Sequence, residues 1–245
     1  MVALSRENSR YGYRRVWALL KREGFEVNKK RVHRLWREEG LKIPDKQRKR
    51  RRLLGNSEIG CKRKRAEYRG HVWSYDFVID RTEDGRRLKM MPIVDEYSRE
   101  CLSIEVHRSI TAEDVVRILA ALFEQRGEPS FMRSDNGPEF IAGAVKQWLE
   151  VSGVKTLYIE PGSPWENAYS ETFISRLGDE LLKREEFTSL LEAKVLVEEY
   201  RNHYNRERPH SALGYRTPAE FAVSCEVTVE DEDLTKELES ITVLS

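Results

Sequence analysis

The stretch Phe131–Phe140, "FMRSDNGPEF", decides how the chain is read. A short strand-like run, "FMRS", stops at Asp135, and "NGP" follows at once. Asn136 and Gly137 suit a tight turn, and Pro138 suits the first turn of a helix. The carboxylate therefore stands where a strand gives way to a turn. Two readings compete: an ordinary turn, or an acid held at the rim of a sheet to grip a metal.

Upstream, "HVWSYDFVID" (71–80) alternates strictly. Trp73, Tyr75, Phe77 and Ile79 fall on one face, and Val72, Ser74, Asp76 and Val78 on the other. Asp76 thus sits inside an apolar strand, where an uncompensated charge is expensive. A basic neighbour or a bound hard cation would offset that cost, and such cations prefer carboxylate oxygen. "RRLKMMPIVDEYS" reads as its hairpin partner through the turn at Glu83–Gly85, and "CLSIEV" as a third strand. Thr111 and Asp114 form a capping box at the head of a helix that ends at Gly127. "FMRS" is the fourth strand, "PEFIAGAVKQWLEVSG" a second helix, "KTLYI" a fifth strand and "SPWENAYSETFISRLGDELL" a third helix. Three strands, then helix, strand, helix, strand, helix, predict an α/β fold with a mixed five-stranded sheet covered by helices. If strands one and four are neighbours, Asp76 and Asp135 approach each other.

Glu171 is a third acid of interest. On the third helix it shares a face with Asn167, Ile174 and Ser175, while Phe173, Leu177 and Leu181 make the better core face. Thirty-five residues separate Asp135 from Glu171, enough for a helix, a strand and half a helix to bring the chain back to one sheet edge. Asp80, Asp95 and Glu139 lie nearby as decoys, Asp95 being either an extra ligand or a strand-end charge. The five histidines lack zinc spacing, and neither a serine–histidine arrangement nor a glycine-rich nucleotide loop stands out.

Charge divides the 245-residue chain. Residues 1–70 carry 23 Lys or Arg against 8 Asp or Glu, a balance of +15, and the remainder a balance of −14. This points to a nucleic-acid-handling segment joined to something else, a solubilising basic linker being the blander reading. "YGYRRVWALLKREGFEVNKKRVHRLWREEG" reads as two helices. Val16, Leu19 and Leu20 make one stripe, closed by Gly24. Val32, Leu35 and Trp36 make the other, after an Asn28 cap. Lys29, Lys30, Arg31, Arg34 and Arg37 are left for solvent or phosphate, as in a helix-turn-helix. The alternative is a basic hairpin that docks on the next domain. "PDKQRKRRR", with Arg48, Lys49, Arg50, Arg51 and Arg52, reads as a basic linker that follows a phosphate backbone. The expected division is a helical DNA-binding region (1–43), linker (44–69), catalytic core (70–185), carboxyl-terminal helix and arm (186–221) and acidic tail (222–245). No run of eighteen apolar residues exists, and the first ten residues are too polar for a signal peptide. Three well-separated cysteines, Cys61, Cys101 and Cys225, argue for a reducing cytoplasm.

"WSYDF", "RSDNGPEF", "YIEPGSPWENAYSETFISRL", "HYNRERPHSALGYRTPAEF" and "YGYRRVWALL" closely resemble the second-frame transposase of IS-three-type bacterial insertion sequences, over residues 11–221. The resemblance implies a ribonuclease-H-like, retroviral-integrase-like core with an acidic triad at Asp76, Asp135 and Glu171. It implies two Mg²⁺ ions, with Mn²⁺ as substitute, one activating water or a DNA 3′-hydroxyl and the other stabilising the leaving 3′-oxygen. Asn136 would shape the turn beside the metals, and Trp165, Asn167 and Tyr169 would order the active-site helix. The implied partners are the element's DNA ends, target DNA, an upstream-frame protein bearing the main helix-turn-helix, and further copies of the chain on DNA. A bacterial cytoplasmic protein, on the nucleoid when bound to DNA, is expected. The sequence departs from the family pattern at Gly178, where a Lys or Arg is usual seven residues beyond the glutamate, and at Ile174 and Ala168. With the late start and the acidic tail, these departures suggest a truncated copy. Two alternatives stay open: an inactive or regulatory DNA-binding fragment, and a ribonuclease-H-like nuclease without strand transfer.

Overall fold

A computed structural model describes residues 1–44, 64–134, 143–158 and 168–225. The chain divides into two compact units. The smaller joins residues 1–64 to residues 209–216, and the larger holds the rest.

In the smaller unit three helices, α1 (Val2–Glu7), α2 (Tyr13–Arg22) and α3 (Lys29–Glu38), close around Tyr11, Val16, Leu20, Val32 and Trp36. The first of these helices was not expected from its polar sequence. Gly24 turns the chain at φ +84°, and the Asn28 side chain accepts the Lys30 N–H at 2.9 Å, satisfying one open donor of α3. Residues 209–216 complete this unit. They form a tight loop in which the Tyr215 N–H donates to the His210 carbonyl at 2.8 Å and the His210 N–H to the Arg216 carbonyl at 3.0 Å. Tyr215, itself at φ +67°, sets its ring edge-on to Trp17 at 6.0 Å.

The larger unit is built on a mixed, open sheet of six strand segments: β1 (Val72–Tyr75), β2 (Val78–Arg81), β3 (Arg87–Asp95), β4 (Cys101–His107), β5 (Phe131–Ser134) and β6 (Lys155–Tyr158). The β3 strand pairs antiparallel with β1, β2 and β4, while β1–β5 and β5–β6 run parallel. Five strands were expected, and the extra one has a local cause. Segments β1 and β2 lie on one register against β3: Tyr75 pairs with Ile93 and Val78 with Met90. They are a single strand interrupted at Asp76 and Phe77, opposite Pro92 and Met91. The Glu96 N–H donates toward β1, to the Val72 carbonyl, so the even-numbered residues of β3 face this side. Pro92 therefore faces the interruption and has no N–H to offer there.

Both faces of the sheet are covered. Helices α4 (Ala112–Arg126) and α5 (Gly143–Val151) bury Trp73, Tyr75, Met91, Ile93 and Met132. On the other face α6 (Ala168–Leu177) and α7 (Leu190–Arg206) bury Val78, Leu88, Met90 and Val94 beneath Phe173, Leu177, Val197 and Tyr204. The expected alternation therefore holds from Trp73 to Val78, whereas Ile79 is exposed at the end of the sheet. The capping box of α4 forms as expected. The Thr111 N–H donates to the Asp114 carboxylate at 2.9 Å and holds that carboxyl below its ordinary pKa. At the edge of the sheet, the Asn205 side chain takes the place of a further strand. It accepts the Cys101 N–H at 2.9 Å and donates to the Cys101 carbonyl at 2.8 Å. Burial raises the pKa of the Cys101 thiol far above its usual value.

Candidate active site

Asp76 occupies the break between β1 and β2 and is partly buried. One of its carboxylate oxygens accepts the Phe77 N–H at 2.7 Å. Because Asp76 keeps the pleat parity of Ser74 and Val78, it belongs to the sheet face that α6 covers. Beneath it, on the opposite face, Phe77 lies 3.7 Å from the ammonium group of Lys89, measured to the ring centroid. That buried lysine also donates to the Ile110 carbonyl at 3.2 Å. Lys89 was not singled out in the sequence, although a cation in the apolar run "LKMMPIV" is the same kind of signal that exposed Asp76.

Glu171 lies in the first turn of α6 and is exposed, while Ser170, Phe173 and Leu177 of the same helix are buried. The core face is the one expected. Helix α6 packs against β1 and β3, so Glu171 is carried over the sheet face to which Asp76 belongs. Strand β5, whose last residue precedes Asp135 in sequence, runs parallel to β1 with Ser74 paired to Arg133. Adjacency of the first and fourth expected strands is thus found. Asp135, Asn136, Trp165 and Asn167 lie outside the described residues, as do Arg48, Lys49, Arg50, Arg51 and Arg52. Among the described residues no three His, Cys, Asp or Glu side chains are grouped to hold a metal.

The open question over Asp95 is answered by its partners. One carboxylate oxygen accepts from the N–H groups of Tyr97 and Ser98 and from the Ser98 hydroxyl, and the other from the Gly70 N–H at 2.7 Å. It is a strand-end group that shapes the β3–β4 turn. Asp80 accepts the Arg81 N–H on the exposed end of β2. His71 is likewise structural: it stacks on Tyr68 and accepts the Glu67 N–H.

Ion pairs with little exposure lie around the site, and hydrophobic periodicity alone does not mark them. Arg133 of β5 meets Glu96 at 2.8 Å, with side-chain exposures of 5% and 0%. Arg99, at φ +66°, lays its guanidinium 3.7 Å from the ring centroid of Tyr169 on α6. Beyond α6, Gly178–Leu182 form a π-type turn in which the Lys183 N–H reaches the Gly178 carbonyl at 3.1 Å. That turn presents Glu180 to Arg208, whose guanidinium donates two bonds of 2.8 and 2.6 Å to the carboxylate. Tyr200, kept protonated by burial, adds a 3.4 Å bond to Glu180.

In the smaller unit, Lys30, Arg31, Arg34 and Arg37 are exposed on α3, Arg34 paired with Glu38 at 3.5 Å. Lys29 differs from them. Its ammonium is 4.6 Å from the Trp17 ring and 5.6 Å from that of Tyr215, and it is half-buried.

A helix-covered mixed sheet, with one acid at its central break and another on the helix that crosses it, is the ribonuclease-H-like architecture of polynucleotidyl transferases. Two integrase core domain profiles match residues 66–164 and 152–218, and an HTH-like domain profile matches residues 2–51. The chain is 37% identical over 230 residues to a 31.7 kDa protein of insertion element IS407 from Burkholderia multivorans, covering 94% of this chain and 82% of that one. It is 40% identical over 226 residues to a 39.2 kDa protein of IS476 from Xanthomonas euvesicatoria, covering 91% of this chain and 64% of that longer one. Transposase InsD of element IS2D from Escherichia coli is 30% identical over 227 residues, covering 86% of this chain and 73% of InsD. The chain belongs to the IS-three-type transposases with an integrase core domain. The chemistry of that core is divalent-metal-dependent phosphodiester cleavage and strand transfer. Among solved structures, the simian T-cell lymphotropic virus intasome in complex with the PP2A regulatory subunit B56 gamma matches with a TM-score of 0.55. That match has 16% identity and covers 65% of this chain and 56% of that one. The catalytic core of HTLV-2 integrase matches with a TM-score of 0.50 and 17% identity, over 64% of this chain and 99% of that core. Among the described residues no helix is long and apolar enough to cross a membrane.

Proposed function

We propose that the chain catalyses DNA cleavage and joining at the ends of its insertion sequence, with Asp76, Asp135 and Glu171 as the metal-binding acids. One observation carries the reading: the strand bearing Asp76 and the strand that leads into Asp135 are parallel neighbours, and the helix bearing Glu171 packs over the Asp76 face.

The donor set suits a hard cation. Asp76 stands at a gap in the backbone ladder, and Glu171 projects from the exposed side of α6. Carboxylate oxygens are what Mg²⁺ and Mn²⁺ prefer. A solved relative in fold, the HTLV-2 integrase core, was determined in complex with magnesium. Two such ions, held by the three acids, would supply an activated nucleophile and charge stabilisation for in-line displacement at phosphorus.

The chain's own residues do the rest. Asp76 is held beside a ladder break by the Phe77 N–H, which donates to one of its carboxylate oxygens at 2.7 Å. Phe173 and Leu177 seat α6 on the sheet, so that Glu171 stays on its exposed edge. Lys30, Arg31, Arg34 and Arg37 offer exposed cations to DNA phosphates, and the basic segment 48–52 extends that supply along the chain. Pairing two DNA ends calls for at least two copies of the chain, and the upstream-frame protein would add the main end-recognition helices.

The test is Mn²⁺-dependent cleavage and joining of labelled DNA carrying the element's terminal repeats. It compares the chain, its fusion to the upstream frame, and that fusion with Asp135→Ala. Joined product from the fusion and none from the Asp135→Ala form is the expected result. Cleaved but unjoined DNA would make the protein a nuclease, and equal product from both fusions would remove Asp135 from the chemistry.

A further inference from the structure

We infer that the β3–β4 turn, Asp95–Glu100, is a positioning bracket that ties together the elements from which the three acids come and sets the orientation of Glu171. The inference rests on the triad reading above. Strand β1, which leads into Asp76, pairs directly with the start of this turn, Trp73 standing opposite Asp95. From the same turn Glu96 grips Arg133, two residues before Asp135, in a fully buried ion pair. From its far side Arg99 covers Tyr169, two residues before Glu171. Six consecutive residues thus touch all three elements from which the acids come.

The turn is rigid enough for this work. The Asp95 carboxylate receives four hydrogen bonds, the Arg99 N–H returns to the Asp95 carbonyl at 2.9 Å, and the Asp95 N–H donates to the Glu100 carbonyl at 2.9 Å. Glu100 is held by Arg69 and Arg126, each at 3.3 Å. Arg99 itself sits at φ +66°, a conformation that a residue with a Cβ keeps only when its surroundings enforce it. Here the enforced conformation carries the guanidinium onto the Tyr169 ring.

The contact with Tyr169 controls rotation. Two residues along an α-helix are roughly 200° apart around its axis. Tyr169 and Glu171 therefore stand on nearly opposite sides of α6. Phe173 and Leu177 fix how closely the helix lies on the sheet, but apolar packing tolerates a small roll. Arg99 on Tyr169 removes that roll and so sets where the Glu171 carboxylate ends. Arg99 and Tyr169 are positioning residues, and neither touches the reacting atoms.

The experiment uses the full chain fused to its upstream frame, terminal-repeat DNA and Mn²⁺. Arg99→Met, Arg99→Lys, Tyr169→Leu and Tyr169→Phe are compared with wild type and with Glu171→Gln. Three quantities are read: the Mn²⁺ midpoint of joining, the Mn²⁺-binding midpoint by calorimetry, and the thermal midpoint. Arg99→Met and Tyr169→Leu are expected to raise both Mn²⁺ midpoints about ten-fold, the scale of losing support behind a metal ligand. Arg99→Lys and Tyr169→Phe, which keep a cation and a π face, should recover most of that loss. Should Arg99→Met fail to fold, the Tyr169→Leu and Tyr169→Phe pair decides. Wild-type Mn²⁺ midpoints in Arg99→Met or Tyr169→Leu, with Glu171→Gln inactive, overturn the bracket and leave the triad standing. Full metal binding and joining by Glu171→Gln would remove the triad reading and the bracket with it.

Discussion

Helices α3 and α6 are both ten residues long, and each carries charged side chains proposed to act on DNA, yet they are supported in opposite ways. Helix α3 buries Val32 and Trp36 and leaves a row of exposed cations. Helix α6 buries Ser170, Phe173 and Leu177, is covered at Tyr169 by Arg99, and runs into a turn fixed by Glu180 and Arg208. The difference follows from the tasks. A lysine that meets a phosphate works through a long-range field and tolerates movement. A carboxylate that holds a metal must arrive within a fraction of an ångström. The molecule surrounds the second kind of residue with buried polar contacts and leaves the first kind to solvent.

The strongest way to break this contrast is at the acids. Asp76→Asn and Glu171→Gln should each lower DNA joining by more than the ~100-fold that marks loss of a supporting partner, since they remove ligands themselves. Gel assays of joined product measure this, and an effect below ten-fold would show that the acid is not a ligand. Next in size is the support of the π-type turn. Arg208→Ala removes the buried cation that pairs with the largely covered Glu180 carboxylate and should destabilise the protein by about 3 kcal/mol, read from urea unfolding. A loss under 1 kcal/mol would mean that the pair is hydrated in solution.

On α3 the expected outcome reverses. Replacing Lys30, Arg34 and Arg37 together by Ala should leave the unfolding free energy within about 0.5 kcal/mol per site. The salt dependence of DNA binding should fall by roughly 0.9 for each phosphate contact removed. An unchanged salt slope would take these residues out of the interface. Lys29, held between two aromatic rings, belongs in a separate variant. At Gly178 the expected effect is small and of opposite sign. A Cβ there meets open space, so Gly178→Ala should stabilise by up to ~1 kcal/mol. Thermal melts check it, and destabilisation would mean that the π-type turn requires glycine.

The sequence displayed the parts that obey a local rule. Alternation placed Trp73, Tyr75 and Phe77 on one face, helical spacing separated Glu171 from Phe173 and Leu177, and the Thr111–Asp114 box marked the head of α4. What it hid depends on pairing across distance. The break at Asp76 is visible only once Pro92 is known to stand opposite it. Glu96, Glu180 and Arg208 look like surface charges, because nothing in their own sequence neighbourhoods points to the partner each one meets. Arg133 did carry the hint that betrayed Asp76, being a charge inside an apolar strand.

The loop at residues 209–216 bears on how the protein is made. The helical unit at the start of the chain takes its last piece, Tyr215 against Trp17, from near the far end. A ribosome supplies that piece roughly 170 residues after α3, which at bacterial rates is roughly 10–30 s later. For that interval the nascent basic helices are exposed without their closing loop, while the catalytic unit is still being synthesised. Birth order and assembly order therefore differ: the first segment to leave the ribosome is among the last to be finished.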